Sequence, residues 1–390
     1  MAREGLLGYN SRSISKPFLK EDYMKKLVAL LMAVCMTVAL AACGGSSSSG
    51  QEGSGGSSGG STTDVAFVTD VGNIDDQSFN QYTWAGVQEF ANAQGLKANY
   101  YKPSEDSDAA RVEQMDNAIK DGAKVVVMAG YLFAPSLEEA QAKYPDTSFL
   151  AIDVSTGDLA NPGKNTALFT YKEEQVGYLA GYAAVKDGYK KLGFLGGMAV
   201  PAVIRYGYGY VQGAEQAAKD MGLTDVSMKY WYCGSFSAND DIKAKMDSWY
   251  AEGTEVVFAC GGSICQSCLA AAQANNGKMI GVDVDQSYLD PEIVITSAMK
   301  ALSHSVVMAL EDAQANGWKF SEKYAGKETK LGAAEDGVSL EMTNAKFKTF
   351  TQEDYDKLFQ GFVDGTLTCD GSSDDSVKPA VSTISVEYIQ

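Results

Sequence analysis

Histidine occurs once in this 390-residue chain, at His304. A reaction that needs an imidazole base has a single candidate, and neither a nucleophile elbow nor a phosphate-binding loop supplies the other half of a hydrolase or kinase site. Basic residues are also scarce: 32 Lys and Arg stand against 50 Asp and Glu, a formal net charge of −18. A polyanion such as nucleic acid is therefore not an expected partner. Zinc lacks a full ligand set, because Cys265 and Cys268 form a C-x-x-C pair with no second pair or histidine pair to complete it. An exported chain could join these thiols in a disulfide and a reducing setting would keep them free; Cys233, Cys260 and Cys369 have no assigned role. No cofactor is expected.

One segment is rich in what the rest lacks. In "MKKLVALLMAVCMTVALAAC", Lys25 and Lys26 precede an apolar run and small residues lead into Cys43. That order is a secretory signal rather than a membrane span. "LAAC" resembles the lipobox of bacterial lipoproteins, which implies cleavage after residue 42 and a lipidated, palmitate-bearing Cys43. Residues 1–23 carry no apolar pattern, so translation is expected to start at Met24. Residues 44–63 are almost all Gly and Ser with nothing to bury, a flexible tether with a root-mean-square reach of roughly 25 Å. An acidic domain tethered to the outer face of a bacterial membrane is the expectation.

From Asp64 onward, apolar runs such as "DVAFVTD", "KVVVMAG" and "FLAIDV" alternate with segments of helical period, and after a break near residues 170–190 the pattern repeats through "KLGFLGG", "EVVFACGG" and "KMIGVDVD". Such alternation predicts parallel sheets buried on both faces. The length exceeds one comfortable core, so two doubly wound lobes are expected. Residues 64–172 with about 298–326 make the first, and 173–297 with about 327–390 the second. Ligands of such sheets bind beyond the carboxyl ends of the strands, which points to the loops carrying Asp70, Phe79, Asn80, Asp153, Tyr206 and Asp283.

Each of these residues has a plainer alternative. Asp70, Asp75 and Asp76 lack the regular spacing of a calcium loop, and one of the last two suits a helix cap. Phe79 either faces the crevice or staples its own helix, and Asn80 beside it offers both a donor and an acceptor. Tyr206 and Tyr210 share a helix side that Tyr208 does not, while Gly207 and Gly209 leave room for a ligand or a second backbone. Asp283 and Asp285, two apart at the strand end in "GVDVDQ", point the same way and either accept sugar hydroxyls or belong to a solvated turn. Lys300 in "TSAMK" faces either the cleft or water.

Five separated stretches then agree with one family. "VTDVGNIDDQSFNQYTWAGVQEF", "EEQVGYLAGYAA", "KLGFLGGMAVPAVIRYGYGYVQG", "GVDVDQ" and "TSAMK" resemble the signatures of the basic membrane protein (PnrA-like) family, lipoprotein receptors of ABC importers. The resemblance spans residues 64–345. It implies a type I periplasmic-binding-protein fold, two lobes joined by three crossovers, and a monomer that closes on a nucleoside. It further implies a base held between Phe79 and Tyr206, the latter where the family more often has Phe. Asp70, Asn80, Asp153, Asp283 and Lys300 fall where the family places polar ligand groups, with Asp283 or Asp285 as the ribose partner. An ABC permease with its ATPase would be the partner complex. "AGYLFAPSL" and "ACGGSICQSC" depart from the family pattern. Sugar binding in the same fold and a surface antigen without a transport role are the alternatives; a nucleoside-cleaving enzyme would need an acid or nucleophile that the chain does not offer.

Overall fold

The computed structural model describes residues 62–390. Cys43, the expected signal peptide and the tether up to residue 61 lie outside the described residues.

The apolar runs become strands shielded on both faces. In β1 (Val65–Val68), β3 (Val125–Ala129) and β4 (Ser148–Ile152) every residue is buried, as parallel strands between helical layers require. Helices α1 (Phe79–Gln94), α2 (Asp108–Lys120) and α3 (Ala134–Lys143) alternate with them, and β2 (Ala98–Tyr101) and β5 (Thr166–Tyr171) complete the run. The second run comprises α4 (Glu173–Lys186), β6 (Lys191–Gly196), α5 (Pro201–Met221), β7 (Ser227–Tyr232), α6 (Asp240–Ala251), β8 (Val256–Cys260), α7 (Ile264–Asn275), β9 (Lys278–Asp283) and β10 (Val294–Lys300). Last come α8 (Leu302–Ala315), β11 (Lys327–Leu331), β12 (Val338–Leu340), α9 (Gln352–Asp364) and β13 (Ser385–Ile389).

These strands form two sheets, one per lobe. The first runs β11-β5-β4-β3-β1-β2 and is wholly parallel; the second runs β12-β10-β9-β8-β6-β7-β13, with β12 alone antiparallel to its neighbour. The chain passes between lobes three times, after Tyr171, after Lys300 and between Leu331 and Val338. Two boundaries differ from the sequence reading. Lys327–Leu331 pairs with Ala167–Tyr171 and so belongs to the first sheet, which moves the third crossing beyond residue 331 instead of near 326. Residues 298–300 finish a strand of the second sheet, so the second crossing follows Lys300. The third crossing could not be read from periodicity, because "KETKL" is half exposed and carries no apolar run.

At the hinge, α4 and α5 touch backbone to backbone. A Cβ on Gly177 would lie 2.2 Å from the Tyr206 carbonyl oxygen, and one on Gly213 would lie 2.0 Å from that of Tyr178. Gly209, expected to admit a ligand or a backbone, admits the backbone of Glu174, whereas Gly207 lies against Tyr230 and Phe194. This contact fixes the start of α5, and with it Tyr206, relative to the first crossing.

Candidate functional site

The carboxyl ends of both sheets face one another across a cleft of about 630 Å3, counting the part open to solvent. From the first lobe it is lined by Asp70, Asp76, Phe79, Asn80, Gly130 and Asp153; from the second by Val203, Tyr206, Phe236, Cys260, Asp283 and Lys300. All seven residues singled out from the sequence thus lie on one wall or the other. Their local geometry assigns them different tasks.

Asn80 is occupied within the protein. Its Oδ1 accepts the Asp70 N–H at 3.3 Å, and its Nδ2 donates to Asp70 Oδ1 at 2.9 Å and to Asp76 Oδ2 at 3.0 Å. It holds two carboxylates in place rather than presenting a free amide. Asp76 caps α1, accepting the N–H groups of Ser78, Asn80 and Gln81, while Asp75 is exposed. Asp70 keeps Oδ2 near Gly130, at the cleft surface. Burial pushes its carboxyl up to about 6, against the opposing pull of the Gly72 N–H and the Asn80 amide.

Asp153 follows β4 and Asp283 ends β9, one in each lobe, and both have left-handed backbones with φ of 60° and 66°. That turn breaks strand alternation at Asp283, so Asp285 does not follow it into the cleft. Asp285 instead accepts the Ser287 N–H and the Asn344 amide at the surface, which corrects the expectation that the two carboxylates point one way. The Asp153 carboxyl is also pushed up to about 6, first by burial and then by Glu173, against the pull of Lys300. Its Oδ1 is buried without a hydrogen-bond partner.

Lys300, with a side chain only 2% exposed, joins the lobes. Its Nζ lies 2.6 Å from Asp153 Oδ2, 3.4 Å from Glu173 Oε1 and 3.9 Å from Asp283 Oδ1. Burial alone would lower its pKa, yet the surrounding carboxylates hold it well above the ordinary lysine value. The same ammonium sits 4.7 Å from the centre of the Phe79 ring and 5.8 Å from that of Tyr206. Tyr206 is almost fully buried, edge-on to Phe258, with its hydroxyl donating to the Ala298 carbonyl at 3.3 Å. Tyr210 packs on Phe258 from the same helix side, and Tyr208 turns away toward Asp374 and Asp375.

Several lining or bridging residues escaped sequence reasoning. Phe236 packs against Gly197 and Gly261 and contributes a further aromatic to the cleft. It follows the carboxyl end of β7, and applying the strand-end rule to that loop would have found it. Ser78 donates across the cleft to Asp283 Oδ2 at 2.5 Å, and Gln286 Nε2 donates to the Gln77 carbonyl at 3.0 Å, two direct bonds between the lobes. Arg205 Nε meets Glu173 Oε2 at 2.6 Å and steadies the carboxylate that faces Lys300. The departures from the family pattern both reach the cleft, as Tyr131 and Leu132 on one side and Cys260 on the other. The thiols of Cys233, Cys260, Cys265, Cys268 and Cys369 are all free, and burial pushes Cys265 up to about 12, an inert rather than reactive state.

The described residues thus combine aromatic faces, buried carboxylates and one buried ammonium, a set suited to holding a flat, hydroxylated molecule. Comparison with known proteins identifies the family. The family of PnrA-like ABC transporter substrate-binding proteins matches residues 63–361. The "ABC transporter nucleoside-binding protein BmpA" of Lactococcus lactis is 29% identical over 325 residues, covering 78% of this chain and 88% of that protein. "Basic membrane protein A1" of Borrelia garinii is 29% identical over 238 residues, covering 60% of this chain and 68% of that protein. An ABC transporter solute-binding protein from Aeropyrum pernix, 23% identical, shares the fold with a TM-score of 0.69 over 80% of this chain and 95% of its own. With a cleft of this make-up between two lobes of this fold, the chain belongs to the PnrA-like family of ABC transporter substrate-binding proteins, extracytoplasmic receptors that bind a small molecule for a transporter and perform no chemistry on it.

Proposed function

We propose that this receptor, lipid-anchored through Cys43, captures a purine nucleoside between its lobes and delivers it to an ABC permease as a monomer. The observation that carries the reading is the cluster around Lys300. There a cation, three carboxylates and the rings of Phe79 and Tyr206 meet at the point where both lobes contribute. A base would lie against Phe79, with Tyr206 or Phe236 on its other face, and ribose hydroxyls would donate to Asp153 and Asp283 while accepting from Lys300. The carboxylate excess favours an uncharged ligand rich in donors. The name of the Lactococcus relative supports the nucleoside class.

A thermal-shift screen of the full chain, stripped of carried-over ligand by unfolding and refolding, tests this against nucleosides, free bases and ribose. Ligand at about 100 times Kd adds roughly 2.7 kcal/mol to stability, a shift of several degrees. Shifts with adenosine, guanosine or inosine but not with ribose are expected. A response to free sugars alone would replace the nucleoside by a sugar. Phe79→Ala should weaken the nucleoside by about 10-fold, the worth of one aromatic stack. Replacing Tyr206 or Phe236 by Ala in turn identifies the second jaw by which affinity falls.

A further inference from the structure

Behind the cleft, on the hinge side, lies a second chamber of about 640 Å3 on the same measure. Its first-lobe wall carries Asp153, Asp158, Thr170 and Glu328; its second-lobe wall carries Arg205 and two residues of the C-terminal segment, Gly371 and Ser373. Asp153 lines both cavities, so its carboxylate borders the chamber as well as the cleft.

We infer that this chamber is an annex of the ligand cleft that takes a polar, non-phosphorylated substituent carried on the sugar of a nucleoside. The inference rests on the nucleoside reading above, which sets the sugar beside Asp153. Three observations carry it. First, Asp153 Oδ1 is buried and unpartnered while Oδ2 is held by Lys300, so the residue that borders both cavities keeps one strong acceptor without a donor. Second, the chamber's chemistry differs from the cleft's. Apart from Pro201 and Gly371 its lining is polar or charged, and no aromatic ring enters it. The acids Asp153, Asp158 and Glu328 outnumber the cations Arg205 and Lys330, and Arg205 is already engaged by Glu173. A group bearing amine or hydroxyl donors suits that field, whereas a phosphate meets repulsion. Third, the wall formed by Gly371 and Ser373 lies past residue 361, where the family match ends. The C-terminal segment is held there by reciprocal bonds between Gln212 and Asp370 and by packing of Gly371 on Glu174. The annex is thus built partly from chain that lies outside the matched region.

The test uses the full chain and isothermal titration. The probes are adenosine, guanosine and inosine, then the 5′-deoxy-5′-glycinamido analogue and the 5′-monophosphate of whichever nucleoside binds. The analogue extends the sugar by a short chain ending in an amine. Its Kd should lie within about 3-fold of the parent or below it, and the monophosphate should bind at least about 100-fold more weakly. Ser373→Trp fills the chamber without touching the cleft, and Glu328→Gln removes one of its charges. Each should weaken the analogue by about 10-fold and leave the parent nucleoside unchanged. A parent that binds while its analogue is rejected as strongly as the phosphate overturns the annex and leaves the nucleoside reading standing. Equal loss of parent and analogue in both variants overturns it too, since the chamber wall would then be only structural. If no nucleoside binds at all, both readings fall together.

Discussion

Lys300 is surrounded by more negative charge than it carries, and that imbalance ties binding to stability at single residues. Lys300→Met would leave Asp153, Glu173 and Asp283 buried around an apolar side chain, and breaking a buried ion pair from one side costs about 3–5 kcal/mol. Denaturant unfolding should register that loss, and nucleoside binding should vanish with it. Ser78→Ala acts differently, because the bond it removes runs between lobes. A hydrogen bond to a charged group contributes about 1.5–3 kcal/mol, so affinity should fall by roughly 10- to 100-fold while the unfolding midpoint without ligand moves little. At this scale the sequence was legible at Asp70, Phe79 and Asp153, which follow strand ends, while Phe236 after β7 was passed over. It was not legible where one backbone angle decides, as the φ of 66° at Asp283 does by separating it from Asp285. Nor could it foretell that the amide of Asn80 is fully engaged by Asp70 and Asp76.

The elements most exposed to mutation are α4 and α5, whose glycines carry the hinge packing. A Cβ at Gly181 would stand 2.1 Å from the Tyr210 carbonyl oxygen, a backbone atom that cannot turn aside. Gly181→Val should therefore destabilise by about 1–3 kcal/mol or more as the helices part, measurable by chemical denaturation. The fully buried strands β3, β4 and β8 announced themselves as apolar runs. The edge strands β2, β11 and β13 did not, since part of each faces solvent and none carries a continuous apolar run. β13 is nonetheless well anchored. Glu215 on α5 accepts N–H bonds from Ser382, Thr383 and Ile384 just before it. Although burial raises its carboxyl, these donors and Lys219 pull it down to about 2.

For the molecule as a whole, the raised carboxyls set the direction of its pH response. Asp70 and Asp153 at about 6, and Glu174 at about 7 through burial and the charge of Glu173, all lie above their ordinary values of 3.8 and 4.5. At these three groups the folded chain therefore holds more protons than the unfolded one between about pH 4 and pH 7, and the stability they contribute falls as pH rises through that window. Glu215 works in the opposite sense, but its contribution is complete above its ordinary 4.5 and is lost only as pH falls toward 2. Thermal unfolding should thus occur at higher temperature at pH 5.5 than at pH 8, and Asp70→Asn should flatten the slope. An unchanged slope in that variant would move the effect to Asp153 and Glu174.

The three crossings have a further consequence, for the time order in which the chain is made. The first sheet has its edge strand β11 only at Lys327–Leu331, after most of the second lobe, and the second sheet gains β13 only at the last residues. A chain emerging from its N-terminus can complete neither lobe before nearly all of it exists. Its halves must stay open late, and an exported protein of this topology reaches the far side of the membrane with both sheets still to be closed.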